Sequence, residues 1–145
     1  MRQIHIYHTE DMPKPVNVVG ESIAVLGAGD LSKEFEVHLQ SGQKDGGPPP
    51  HTHPWDEGFY ILEGEVEITL NGKATILKAG SYVHIPANTL HCYRNVTQGA
   101  KMLAVVSDPM GGEFFKNVHN LMPDNPEALP KLLKVGEDYG VEFKV

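Results

Sequence analysis

Residues 51–57 read His51-Thr52-His53-Pro54-Trp55-Asp56-Glu57, which places two imidazoles and a carboxylate in one short stretch. Side chains two apart on a strand point to the same face, so His51 and His53 can close on a single ion. Glu57 keeps the same parity. Pro54 has no backbone donor and is poorly tolerated in a central strand; a strand edge or bulge is expected there, letting Glu57 swing back toward the ion. The fourth donor must come from elsewhere, and the segment 80–95 supplies His91, after a strand of alternating character and a turn at Pro86 and Asn88. Imidazole and carboxylate donors suit one divalent iron, manganese, nickel, cobalt, copper or zinc ion and do not choose among them. An octahedral ion held by four protein groups keeps two positions for water, oxygen or substrate. The expected metal ligands are therefore His51, His53, Glu57 and His91, with Glu57 also the natural catalytic base, since a coordinated carboxylate can detach far enough to take a proton.

These residues resemble the two sequence motifs of the cupin superfamily. In the first, a glycine precedes HxH, Glu and Gly, matched here by His51, His53, Glu57 and Gly64; the second is matched by Gly80, Pro86, His91 and Asn95. Two positions depart from the pattern. Gly46 or Gly47 stands closer to His51 than the usual leading glycine, and Asn88 replaces a glycine two residues after Pro86. Asn adopts positive φ more readily than other non-glycine residues, so the turn at Asn88 is expected to form without strain. A finer resemblance, to small single-domain cupins grouped with quercetinase-like dioxygenases, is carried by residues 46–50 (Gly-Gly-Pro-Pro-Pro), 57–64 and 111–115. It implies dioxygenase chemistry by analogy only, because a fold does not fix a reaction.

Strands must position these groups. Residues 16–26 read as a first strand region, and residues 34–40 as a strand with Phe35, Val37 and Leu39 on its core face. Residues 60–70 alternate Val66, Ile68 and Leu70 against Glu65, Glu67 and Thr69, and Asn71-Gly72 is a strong type I′ hairpin signal leading to residues 74–77. Residues 101–106 read as a buried final strand, and Gly27-Ala28-Gly29 as a turn. Together with the motifs, this order implies an all-β fold, a double-stranded β-helix or jelly-roll barrel with the ion inside one end, followed by a short C-terminal helical segment. One domain spanning 1–145 is expected, with the barrel at about 16–108 and the tail at about 111–145. In the tail, residues 113–121 carry Phe114, Phe115, Val118 and Leu121 at helical spacing, and a second helix is expected over 126–139 after Asn125. That apolar stripe is read as packing against the outside of the barrel or a dimer mate, with a lid over the metal pocket as the alternative.

The other histidines have plainer readings. His5, His8, His38 and His119 are expected at the surface, and His84 at a solvent-facing or interface position in preference to a supporting role beside the ligands. Cys92, next to His91, should point the opposite way as a small packed thiol and has no partner for an internal disulfide.

The net charge of −7 and the absence of a Lys/Arg stripe argue against nucleic-acid binding. No apolar segment follows Met1-Arg2-Gln3, so a cytoplasmic protein with no membrane partner is expected. Phe59 and Ile61 share the parity of Glu57, and Tyr93 that of His91; these three are expected to bind substrate and suit a planar or hydrophobic small molecule better than a phosphorylated one. The reading is a metal-binding homodimeric cupin, a dioxygenase-type oxidoreductase on a small aromatic or enolisable substrate. The alternatives are a metal-dependent isomerase or lyase, or a non-catalytic small-molecule binding or sensing cupin.

Overall fold

The computed structural model describes residues 3–18, 20–27, 31–32, 34–108, 111–119 and 125–144. Its strands are β1 (Val16–Val18), β2 (Glu21–Gly27), β3 (Glu36–Gly42), β4 (His51–Thr52), β5 (Glu57–Glu63), β6 (Glu65–Leu70), β7 (Lys73–Lys78), β8 (Tyr82–Ile85), β9 (His91–Asn95), β10 (Ala100–Val106) and β11 (Glu142–Phe143); the helices are α1 (Gly111–Asn117) and α2 (Ala128–Tyr139). They form two antiparallel sheets, ordered β1-β2-β3-β10-β5-β8 and β11-β4-β9-β6-β7. From β4 onward the chain passes repeatedly from one sheet to the other, the connectivity of a jelly roll.

Glycine and asparagine set the crossings. Residues 60–70 are not one strand, as their alternation suggested. Gly64 breaks them with φ 75°, and a Cβ there would stand 3.1 Å from Thr97 Cβ and 3.3 Å from the Ala100 Cα. The chain thus leaves one sheet as β5 and enters the other as β6. The Asn71-Gly72 hairpin has both central residues at positive φ, 49° and 84°, and pairs Leu70 with Lys73, as a type I′ turn requires.

Strand β3 corrects the expected orientation. Glu36, His38 and Gln40 face the interior at 0%, 1% and 3% exposure, while Phe35 is 48% exposed and Val37 and Leu39 are half-buried on the outer face. His38 is therefore a core residue. Alternation specifies two faces but not which of them is inside, and here the interior face of β3 is the wall of a cavity that carries polar groups.

The interior divides in two. Phe59, Ile61, Val66, Ile68, Ile85 and Met102 belong to a cluster filling the space between the sheets. A second cluster ties the tail to the barrel, joining Trp55 and Val106 to Phe114, Val118, Leu132 and Val141. Helix α1 starts two residues before the expected 113 and ends at Asn117; Leu121 and the turn at Ala28-Gly29 lie outside the described residues. Helix α2 starts at Ala128, two residues after Pro126, and Pro130 sits in its first turn, where its missing N–H has no intrahelical acceptor to lose. Gly140 closes the helix with φ 77°, and Val141 N–H donates to Gly136 O at 2.8 Å. Among the described residues no helix is long and apolar enough to cross a membrane.

Candidate metal centre

His51 and His91 face each other as directly paired residues of the short strand β4 and of β9. His53 lies just past the end of β4. Between His53 and Glu57 the chain crosses to the other sheet, so Glu57, the first residue of β5, meets the histidines from the opposite wall. Two contacts fix this crossing: Asp56 N–H donates to Ser107 Oγ at 2.9 Å, and Ser107 N–H donates to Asp56 O at 3.0 Å. Asn88, at φ 64°, donates its N–H to His53 O at 2.8 Å, so the turn after Pro86 braces a ligand strand.

The hydrogen bonds select the histidine tautomers. Each Nδ1 lies against a backbone carbonyl: His51 to Pro49 at 2.9 Å, His53 to Trp55 at 2.9 Å and His91 to Thr89 at 2.7 Å. A carbonyl can only accept, so each Nδ1 carries a proton and Nε2 is the atom each ring can offer to an ion. The three histidines bring one ligand atom apiece to within 4.8 Å of one another. Glu57 Oε2 is 3.0 Å from His53 Nε2 and 3.3 Å from His91 Nε2. Among the described residues His91 Nε2 is buried and makes no well-formed hydrogen bond. Such a ring nitrogen, beside two more imidazoles and a carboxylate, fits a divalent transition-metal ion.

The titration of the group agrees with that chemistry. Burial, then the neighbouring His91, lowers His51 to about 4, which keeps it neutral near pH 7. Burial alone would raise Glu57, but contacts with His53 and His91 outweigh it and hold the carboxyl at about 2, ionised. Burial likewise works to lower His91, and the Glu57 carboxylate reverses that and raises it. A neutral His51 and an ionised Glu57 are the protonation states a metal ion needs, and the raised His91 is a ring whose proton an ion would displace.

The cluster lies in the wall of a cavity with about 840 Å3 of empty space, counting its open mouth. Phe59 and Tyr93 line it; Ile61, expected beside them, instead packs into the core between the sheets at 0% exposure. The helical tail does not pack merely on the outside. Phe114, Phe115, Leu132, Val141 and Phe143 all line the same cavity, and the Phe143 ring stands 5.6 Å from that of His51. Trp55 was missed by the sequence reading, although it shares the parity of His51, His53 and Glu57. Its ring stacks on His53 at 4.5 Å and 8°. His38 and Gln40 were missed as lining residues, and the signal was an alternating Glu-x-His-x-Gln run on one strand. His84 stands outside the cavity, half-exposed, with Nε2 3.1 Å from Asp56 Oδ2. His5, His8 and His119 are exposed, and Cys92 is a free thiol.

Two antiparallel sheets closing on a histidine-rich centre define a jelly-roll barrel. Residues 35–107 match the cupin domain, and the chain belongs to that family. It resembles quercetinase-like proteins: over 77 residues it is 39% identical to quercetin 2,3-dioxygenase of Bacillus subtilis strain 168, a match covering 52% of this chain and 22% of that enzyme. An uncharacterised protein of Streptomyces coelicolor is 30% identical over 71 residues, covering 49% of this chain and 65% of its own length. The chain thus spans less than two thirds of either relative. Among solved structures, KdgF from Halomonas sp. superposes with a TM-score of 0.66 at 15% identity over 72% of this chain and 94% of its own. Ectoine synthase from P. lautus gives 0.67 at 15% identity over 98% and 91%. At such identities the likeness speaks for the fold alone.

Proposed function

We propose that the protein is a metal-dependent dioxygenase-type oxidoreductase acting on a small aromatic or enolisable substrate. The observation that carries this reading is the set of three imidazoles whose Nδ1 atoms are committed to backbone carbonyls, with the Nε2 atoms of His53 and His91 against the ionised Glu57 carboxylate at the wall of a ring-lined cavity. His51, His53, His91 and Glu57 would hold the ion. When bound, a divalent ion supplies Lewis acidity toward a substrate oxygen and, if redox-active, one-electron chemistry with dioxygen.

The chain's own residues do the rest. Glu57, ionised and in contact with two imidazoles, accepts the proton of an enol or phenol brought to the cluster. Phe59 and Tyr93, with ring centroids 5.8 Å apart and nearly perpendicular, form one flank for a flat molecule. Phe143, Leu132 and Val141 from the tail line the cavity beside the cluster and narrow its contact with solvent. Dioxygen is the oxidant in such a reaction and both its atoms enter the product, so no separate reductant is needed.

The same reading includes a cytoplasmic homodimer with one ion per chain. The outer face of the first sheet carries a cross-strand apolar row, Leu39, Leu103, Tyr60 and Tyr82, in direct register, and Tyr60 and Tyr82 are 44% and 61% exposed.

The test is elemental analysis of protein purified without added metal, beside Glu57→Ala, followed by oxygen uptake with flavonols and 1,3-diketones. Stoichiometric iron, manganese, nickel, cobalt or copper that falls in the variant, with oxygen consumed, supports the reading. Turnover without oxygen would replace it by isomerase or lyase chemistry. Absence of metal from both proteins would leave a binding module.

A further inference from the structure

The polar wall of β3 has no role in the reaction just described. Glu36 and His38 are 0% and 1% exposed, and His38 Nε2 lies 2.6 Å from Glu36 Oε1. A carboxylate accepts, so Nε2 carries the proton, and in this tautomer Nδ1 is the ring's acceptor. That Nδ1 is buried and has no hydrogen-bond partner among the described residues. A buried acceptor left without a donor costs about 1–3 kcal/mol, so an unpartnered one beside a cavity is a place where a ligand's donor gains affinity.

His38 lines the same cavity as the histidine cluster, packed edge-on against Phe115 at 5.0 Å. Its place in the sheet is fixed by register. His38 pairs with Ala104, and Ala104 with Phe59, all on the inner face; one step along, Glu36 pairs with Val106 and Val106 with Glu57. His38 therefore stands two strand spacings, about 10 Å, across the sheet from the Glu57–Phe59 edge. Nearby, Tyr93 O–H already faces two acceptors, Glu21 Oε2 at 3.3 Å and Gln40 Oε1 at 3.2 Å. This wall is rich in acceptors and in buried carboxylates, which disfavours an anionic group and favours a neutral donor.

We propose that His38, oriented by Glu36, is a specificity-determining residue that accepts a hydrogen bond from a ligand hydroxyl distant from the metal centre, so that the cavity selects a flat polyhydroxylated aromatic molecule. This rests on the proposed aromatic substrate and adds a second anchor to it. Phe115, carried by α1, is the side chain that must yield for the hydroxyl to reach Nδ1.

The probes are quercetin, with hydroxyls on both ends of its ring system, and 3-hydroxyflavone, which keeps only the hydroxyl–carbonyl pair. Trp55 is the single tryptophan and lines the cavity, so quenching of its fluorescence, measured under nitrogen, gives both dissociation constants. One hydrogen bond to a buried acceptor predicts that quercetin binds about tenfold tighter than 3-hydroxyflavone. His38→Gln places an amide nitrogen where Nε2 stands and keeps the bond to Glu36, but has no acceptor at the Nδ1 position; the preference should collapse toward parity with 3-hydroxyflavone affinity unchanged. A merely structural role would weaken both probes together, and a preference that persists in the variant overturns the proposal. If His38→Gln does not fold, Glu36→Leu with His38→Leu removes both buried partners and is read in the same way. Failure of the wild-type protein to bind either flavonol sinks the aromatic-substrate reading and this inference with it, whereas equal binding of both sinks this inference alone.

Discussion

Replacing His53 by alanine separates the ligand role of this residue from its structural one. Its imidazole is 5% exposed, donates Nδ1–H to Trp55 O, meets Glu57 Oε2 through Nε2 and stacks on the Trp55 ring. Alanine leaves the Trp55 carbonyl without its donor and Glu57 with a single imidazole. Orphaned buried groups cost about 1–3 kcal/mol each, and more when charged. The vacated volume opens onto the cavity, where water can enter and solvate both groups, so the net loss should lie near about 1–3 kcal/mol and not at their sum. For a chain of this length that lowers the midpoint of metal-free thermal unfolding by about 2–12 °C. Metal retention should suffer more. Loss of a group that merely supports a ligand reduces affinity about 10–100-fold, and loss of the ligand itself should cost at least that. Elemental analysis of His53→Ala should therefore show metal content severalfold below wild type, with the β-rich circular dichroism intact at 25 °C. Trp55→Leu is the companion variant: it removes the stacking ring yet keeps the main-chain carbonyl that holds Nδ1, and should retain more metal than His53→Ala. Unchanged metal in His53→Ala, with folding preserved, would refute the assignment of Nε2 as a ligand atom.

Burial raises the Glu21 carboxyl despite bonds from Asn95 and Tyr93, so the folded state binds more protons than the unfolded state above pH 4.5. The resulting stability is complete below that pH and is lost as pH rises through the folded value. Glu21→Gln should flatten the pH dependence of the urea midpoint between pH 4.5 and 8, and parallel profiles would count against it. Gly47 has φ 147°, and a Cβ there would lie 2.0 Å from the Tyr93 carbonyl oxygen, so Gly47→Ala should cost at least about 2 kcal/mol by urea denaturation; a midpoint equal to wild type would show that the loop relaxes freely. Light scattering should give about twice the 15.9 kDa chain mass, and Tyr60→Lys with Tyr82→Lys should return it to the single-chain value; a wild-type mass near 16 kDa would end the dimer reading.

What could be read from the sequence was local. Parity along an extended chain explains why His51 and His53 share a face, whereas Glu57 reaches them from the other sheet after a crossing that parity does not record; Asn71-Gly72 sets its hairpin through positive φ, and Asn88 adopts the left-handed turn that a glycine would otherwise supply. The three features that escaped are non-local, each for a physical reason. Strand β3 alternates as expected, but a rule that hydrophobic residues point inward assumes a dry interior, and this barrel encloses a ligand-sized space whose wall carries His38 and Gln40, with Glu36 buried on the same face. The apolar residues displaced from that wall then cover the outer face, so one inversion produces both the polar cavity and the exposed apolar row proposed to join two chains. The run through residues 60–70 hid a crossing at Gly64, where the buried positions change from odd (Phe59, Ile61) to even (Val66, Ile68). The tail's place over the cavity depends on Phe143 reaching His51 across 92 positions of sequence through the two-residue pairing of β11 with β4, a contact that periodicity has no means of recording. Local pattern thus pointed to the candidate donors, whereas the environment that would decide what they act on comes from pairings between distant segments. It is that environment, with its Nδ1 of His38 lacking a donor and its tail rings over the cluster, that turns a generic ligand set into a testable preference for one class of molecule.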